Sequence, residues 1–334
     1  MHKKLLYIFA CSMLLLVGKV RAQDFHLSQF DAAPLNLNPS LTGLFNGNYR
    51  IHGHYRTQWQ AIVNKPFQTG YISFDMPIKK GFSFGASIAN YNAGTGSYNE
   101  FQLMLFGAYK VALDKKKHHN ISVGLQAGFF TKSINFGNLT FGQQYIANAN
   151  GGMFDPGIPT GETFDNNFAI NFDCGLGFTY YYSNMASRIN PFVGVSVYHL
   201  NVPKETFYGD NNKLPLRYVA NAGVRIGITE TFSLMPKIMY EHQKKANEIL
   251  ASIMCQFYLK NADLILQAGP TFRSKDAFAI DLGAKWRGLE FRLSYDVNFS
   301  SLNVSTSGRG GTEISLTYIF KKLNPNPIPS CPRL

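Results

Sequence analysis

Apolar and polar residues alternate one for one from Tyr49 to Trp59. Tyr49, Ile51, Gly53, Tyr55, Thr57 and Trp59 share one face, and Arg50, His52, His54, Arg56 and Gln58 share the other. An amphipathic helix repeats every 3.6 residues, so a period of two specifies a β-strand. The pattern returns near the C-terminus. Phe278, Ile280, Leu282, Ala284 and Trp286 oppose Asp281, Gly283 and Lys285. Leu289, Phe291, Leu293, Tyr295 and Val297 oppose Glu290, Arg292, Ser294 and Asp296. Ile314, Leu316, Tyr318 and Phe320 oppose Glu313, Ser315 and Thr317. In these four strands the apolar face carries no charge.

Period alone does not separate a soluble sandwich from a barrel in lipid. Beyond the N-terminal 22 residues, no run reaches the roughly 18 to 20 consecutive apolar residues that a spanning helix requires. The remaining way to cross a bilayer is a closed barrel, where every backbone N–H and C=O pairs internally. Lys or Arg facing lipid at the midplane costs roughly 2 to 4 kcal/mol, so a charge-free outer face is what such a barrel needs. Tyr49, Trp59, Trp286, Tyr318 and Phe320 lie where interfacial aromatic girdles belong.

Further strands are predicted near 67–76, 82–91, 98–111, 120–132, 168–182, 191–200, 215–228, 232–241, 247–259 and 263–272. The fold class is therefore all-β, a transmembrane antiparallel β-barrel of about 14 strands covering 49–320. An even count brings both ends to the periplasmic side. Long loops at 133–167, 201–214 and 298–311 then fall outside, and short turns at 77–81, 229–231, 260–262 and 287–288 fall inside. Pro236 and Pro270 would each remove a ladder hydrogen bond, which predicts bulges or strand ends there. The segment 191–200 shows no clean face, because Val193, Val195 and Val197 compete with Phe192, Tyr198 and Leu200.

The N-terminus names a compartment. Lys3 and Lys4 precede an apolar run from Leu5 to Val17 and then Val20-Arg21-Ala22, which reads as a cleaved signal peptide, residues 1–22. Cleavage removes four bases and no acid, taking the net charge from +12 to +8. Charged residues make up only 16% of the chain and aromatics 14%, few charges and many rings for a soluble domain, which favours contact with outer-membrane lipid. An exported chain without a basic helix or clustered patch gives no support to nucleic-acid binding.

Catalytic chemistry has little foothold. Neither a G-x-S-x-G elbow, a phosphate-binding glycine loop nor H-E-x-x-H is present, so no enzyme, cofactor or metal is expected. His52 and His54 could ligate a metal at i and i+2, but without a Cys or carboxylate at a diagnostic spacing they read as lumen filler. Arg50, His52, His54, Arg56, Glu290, Arg292, Asp296 and Glu313 form a candidate polar network in the lumen. With Asp75, Arg217, Arg225, Asp281 and Lys285 they could line a path or pair into a plug, and the plug is preferred. Cys174 and Cys255 fall on lipid-facing positions and read as free thiols.

Several stretches resemble one family. They are QDFHLSQFDAAPLNLNPSLTG at the mature start, FVGVSVYHLNVP in the middle, AGPTFRSKDAFAIDLG, LSYDVNFSSLN, GTEISLTYIF and a CPRL tail. Their order resembles the PorP/SprF family of type IX secretion proteins of Bacteroidetes. Tyr295-Asp296, Ser300-Ser301-Leu302 and Gly311-Thr312-Glu313 stand where the family's late block lies, though Thr312 replaces a His that usually precedes the Glu. The resemblance implies an outer-membrane barrel that anchors a secreted adhesin or filament through the client's C-terminal domain. It also implies coupling to periplasmic ring components, with gliding motility as an associated process. The alternative is a channel or hydrophobic-solute transporter. For a docked client, the aromatic residues of the long loops are the candidate contacts: Tyr145, Phe154 and Phe164 in one loop, Phe207 and Tyr208 in another. Residues 23–48 are expected in the periplasm or lumen, and the Pro-rich tail 321–334 in the periplasm.

Overall fold

The structure is a computed structural model that describes residues 24–60, 65–94, 97–148, 151–162, 167–184, 186–204, 212–300 and 306–321. The signal-peptide segment and the tail beyond Lys321 lie outside the described residues. A single-turn helix α1 (Pro34–Leu37) and a 3-10 turn (Pro39–Leu41) precede the strands. The first five strands are β1 (Tyr49–Gln58), β2 (Phe67–Pro77), β3 (Phe82–Ala93), β4 (Tyr98–Ala112) and β5 (His119–Ser133). A loop hairpin follows, β6 (Tyr145–Asn148) and β7 (Gly151–Phe154). Then come β8 (Phe168–Tyr182), β9 (Ile189–Tyr198), β10 (Arg217–Gly227), β11 (Phe232–Gln243) and β12 (Ala246–Leu259). The last four are β13 (Leu264–Arg273), β14 (Ala277–Trp286), β15 (Leu289–Asn298) and β16 (Arg309–Phe320).

All but β6 and β7 form one closed antiparallel barrel of 14 strands. Consecutive barrel strands pair with their neighbours, and β1 closes the ring against β16, from Tyr49 opposite Phe320 to Thr57 opposite Thr312. Closure leaves no sheet edge along the seam, which is the condition for burying backbone in hydrocarbon. Among the described residues no helix is long and apolar enough to cross a membrane. The alternation has the expected sense. Ile51, Tyr55, Ile72, Ile280 and Leu316 are exposed outward, while Arg50, His52 and Arg56 are almost wholly buried inside.

Two expectations from the prolines are corrected. Pro236 and Pro270 sit inside β11 and β13 with neither bulge nor strand end. The β10–β11 ladder runs from Gly223 opposite Lys237 to Ile226 opposite Leu234 in the same register, omitting only the pairings at Pro236 and Met235. The β12–β13 ladder likewise omits Gly269 and Pro270 without a shift. On its other side each proline still stands opposite a partner, Ile253 for Pro236 and Ile280 for Pro270. Register set by the two faces of a strand therefore survives the loss of one local hydrogen bond. Trp59 is also not a girdle residue of β1. The strand stops at Gln58, and Trp59 turns at φ 61° to pack on Phe67, ring centroids 4.5 Å apart.

The ambiguity in 191–200 has a structural cause. Val193 and Val195 are exposed outward, whereas Tyr198 is buried in the lumen against Phe30, Leu37, Leu41 and Leu44, with Phe192 packed on the same cluster. Both faces of β9 are apolar because the lumen itself contains an apolar body.

Candidate functional site

That body is the N-terminal segment. Residues 24–45 run down the lumen from the end bearing the long loops to the end bearing the short turns, and the chain then reverses into β1. Proline starts each of its two short turns, and Asn38 caps the second. Asn38 uses both ends of its amide. Its Oδ1 accepts from Ser40 N at 2.9 Å and Ser40 Oγ at 2.7 Å, and its Nδ2 donates to Phe178 O and Val195 O, both at 3.2 Å. The wall is cut to fit. A Cβ on Gly124 would lie 2.4 Å from Pro39 O, and one on Gly177 would lie 2.0 Å from Asn38 Oδ1. Glycine lets the plug backbone touch the wall at 124 and the Asn38 side chain touch it at 177.

Near the long-loop end, Asp24 is held by His199 Nε2 at 2.8 Å and Arg217 at 3.4 Å. The other ring nitrogen of His199 bonds Asp173 at 3.0 Å. Burial opposes charge on His199, but the Asp24 charge and the bonds to Asp173 and Asp24 outweigh it and raise its pKa to about 9. Burial likewise opposes charge on Asp24, and the cations His199 and Arg217 outweigh it, holding the carboxyl below its ordinary range. The N-terminal end of the plug is thus tied by a buried imidazolium between two carboxylates.

Deeper in, Ser28 and Gln29 meet the barrel seam. Glu313 accepts from Ser28 N at 2.5 Å and from Gln29 N at 2.9 Å. Ser28 Oγ bonds Asp296 at 2.9 Å and accepts from Arg56 at 2.8 Å and Arg273 at 3.0 Å. Arg56 is ion-paired with both Glu313 and Asp296, and Arg273 reaches Asp296 at 2.7 Å. Halfway down, Asp31 bridges Lys237 and Arg292, and Arg292 also reaches Asp281 at 3.3 Å. At the short-turn end, Gly43 N donates to Asp75 at 2.7 Å, and Arg50 grips the same carboxylate through Nε at 2.9 Å and a second nitrogen at 2.8 Å. Arg50 also lies over the Phe45 ring at 4.8 Å.

The predicted lumen residues therefore divide among several clusters. His54, Arg56, Asp296 and Glu313 share one, with His54 Nε2 3.1 Å from Glu313. Arg292 belongs with Asp31, Arg50 with Asp75, and Glu290 with Lys285 at 3.1 Å. His52 bonds Thr317 at 2.8 Å. Lys237, Arg273 and His199 were not among the predicted residues, and their acidic partners include Asp31 and Asp24 of the plug. Of the loop residues, Tyr145 and Phe154 stand opposite each other in the β6–β7 hairpin, half exposed, ring centroids 5.3 Å apart. Phe164, Phe207 and Tyr208 lie outside the described residues. Cys174 and Cys255 are free thiols on outward positions, each partly covered.

Cavities of about 30 and 20 Å³ flank the plug beside Phe25 and Asn36, the first also beside Asp24. Each has room for one or two water molecules. Polar side chains of the lumen wall make their contacts with the chain's own N-terminal segment.

A charge-free lipid face, a polar lumen and an N-terminal plug define an integral outer-membrane barrel. The chain belongs to the family of type IX secretion system membrane proteins PorP/SprF, which matches residues 19–318. Its fold is similar to that of the Ralstonia pickettii toluene transporter TbuX, with TM-score 0.50 and 11% identity over 86% of this chain and 94% of that one. Other similar structures are the Pseudomonas putida toluene transporter TodX (TM-score 0.49, 9% identity, 89% and 98% covered) and the KdgM porin (0.39, 7%, 80% and 99%). At such identities the likeness is one of fold. No curated protein sequence matches the chain.

Within the described residues, the stretches that carry the family resemblance meet at the plug. The first is the plug itself, and the later ones supply His199, Arg273, Asp281, Asp296 and Glu313. Thr312 points away from the lumen between the inward Gly311 and Glu313.

Proposed function

We propose that this protein is a docking barrel of the type IX system, anchoring an exported surface protein at its outer loops and coupling to secretion components on its periplasmic face. The observation that carries this reading is the filled lumen. A segment whose charges are met one by one by the wall argues against an open path and leaves the two rims as working surfaces. Outside, the Tyr145–Phe154 hairpin presents an aromatic pair suited to a protein contact. On the periplasmic rim, Lys79, Lys80 and Lys115 to Lys117 lie in turns and suit an acidic partner such as a secretion-ring component. The barrel acts as a scaffold and catalyses no reaction, and gliding motility is one process such anchoring would serve.

The test is to purify the protein from its native outer membrane in mild detergent and identify what remains bound by mass spectrometry, comparing wild type with a deletion inside 140–163. A large exported protein lost with that loop supports docking. Absence of any bound protein, with reconstituted barrels that conduct ions or yield extractable lipid, would instead favour the transporter reading.

A further inference from the structure

The barrel wall is not equally paired along its height. β8 pairs with β5 over its whole length, Phe168 opposite Ser133 to Tyr182 opposite His119. Against β9 it pairs only from Leu176 to Tyr181. Above that, Leu200 N bonds Cys174 O at 3.0 Å and Asn201 Nδ2 bonds Phe172 O at 2.7 Å. Asn201 thereby ends the pairing. Among the described residues no backbone stands opposite 168–171 on that side.

Strand geometry says which groups are left over. Asn167 O accepts from Ile134 N, so odd-numbered residues of β8 turn their backbone groups toward β5. Even-numbered residues turn theirs the other way, as Cys174 O and Phe172 O confirm. The N–H and C=O of Phe168 and Ile170 therefore point along an edge with no strand beside it among the described residues. Their side chains are 54% and 63% exposed, and Phe172 is 46% exposed. On the other face Asn171 carries a buried Nδ2 without a hydrogen-bond partner. A strand laid along this edge satisfies all of them at once.

We propose that the open upper edge of β8, residues Phe168–Asn171, is a strand-addition site for an extended segment of the exported client. Main-chain pairing supplies the affinity in this mode of recognition, and alternate side chains supply the specificity. The segment that fits has apolar residues at every second position, beside Phe168, Ile170 and Phe172. Between them it carries polar residues, one of which accepts from Asn171. This rests on the docking reading above and names the element that performs it.

The experiment places p-benzoylphenylalanine at position 168, 170 or 172 of the full chain in the native host, irradiates intact cells and maps the cross-linked peptides. The expected result is a link to one exported protein, with the contact moving by two residues, antiparallel, as the probe moves by two. Ile170→Pro removes an N–H that β5 does not use, so the barrel should keep its heat-modifiable mobility while the client is lost on purification. If client is retained by Ile170→Pro and no exported peptide cross-links, but the 140–163 deletion releases it, docking stands and the strand-addition site is overturned. Links confined to the chain itself, or to a second copy, also overturn it. If wild type retains no client, the docking reading itself fails.

Discussion

Arg56 and Glu313 stand opposite one another across the seam where β16 meets β1, and their ion pair lies wholly inside the barrel with Ser28 of the plug bound to both. One pair therefore joins three parts of the chain that are far apart in sequence: the first strand, the last strand and the segment before either. Closing the ring and seating the plug share the same charges.

Removing one member of that cluster should be costly, because it leaves the other buried charges without their partner. Arg56→Ala is expected to destabilise the barrel by about 3 to 5 kcal/mol, the range for breaking a buried pair. Denaturant unfolding in detergent, followed by heat-modifiable mobility, measures this. A loss under 1 kcal/mol would mean that the cluster is hydrated and the plug loosely seated.

The His199 tie gives the plug a pH dependence of definite sign. Its folded pKa, about 9, lies above its ordinary 6.5, so the stability it adds is complete below about pH 6.5 and is lost as pH rises through about 9. Asp24 is shifted the other way, and its contribution is lost as pH falls below its ordinary 3.8. Arg217, Asp173 and Lys132 are the other charged groups that face the pair. Wild type should therefore show a falling denaturation midpoint between pH 6.5 and 9, and His199→Gln should be flatter over that window. Equal slopes would disprove the charged tie.

The close approach of plug to wall predicts a large response to one methyl group. Gly124→Ala sets a Cβ against the Pro39 carbonyl and the Ser40 Cα, both backbone, so the plug must shift. A loss of roughly 1 to 3 kcal/mol is expected, with raised ion conductance in planar bilayers. Gly53→Ala, where nothing lies within 4 Å, should leave both unchanged.

The plug's direction makes a topological prediction. Asp24 sits beside His199 and Gln243 at the long-loop end, while Gly43 reaches Asp75 at the other. A short epitope inserted after Gln23 should bind antibody on intact cells. One placed after Lys321 should bind only after permeabilisation. The reverse pattern would invert the barrel.

Much of the barrel is legible in the sequence because a strand with one lipid face and one wet face must alternate, and β1, β14, β15 and β16 do so without exception among their charged residues. Strand number, parity and loop asymmetry follow from that local rule, as does the inward placement of Arg50, Arg56, Asp296 and Glu313. What no local pattern contains is the partner of each inward charge. Asp24 and Asp31 sit in a segment with no alternation, and their contacts with His199, Arg217, Lys237 and Arg292 span more than 170 residues of chain. The mixed face of β9 and the glycines at 124 and 177 likewise make sense only with the plug in place. Alternation is decided by the solvent on each side of a strand, whereas the plug is decided by which buried charges can neutralise one another once the ring has closed.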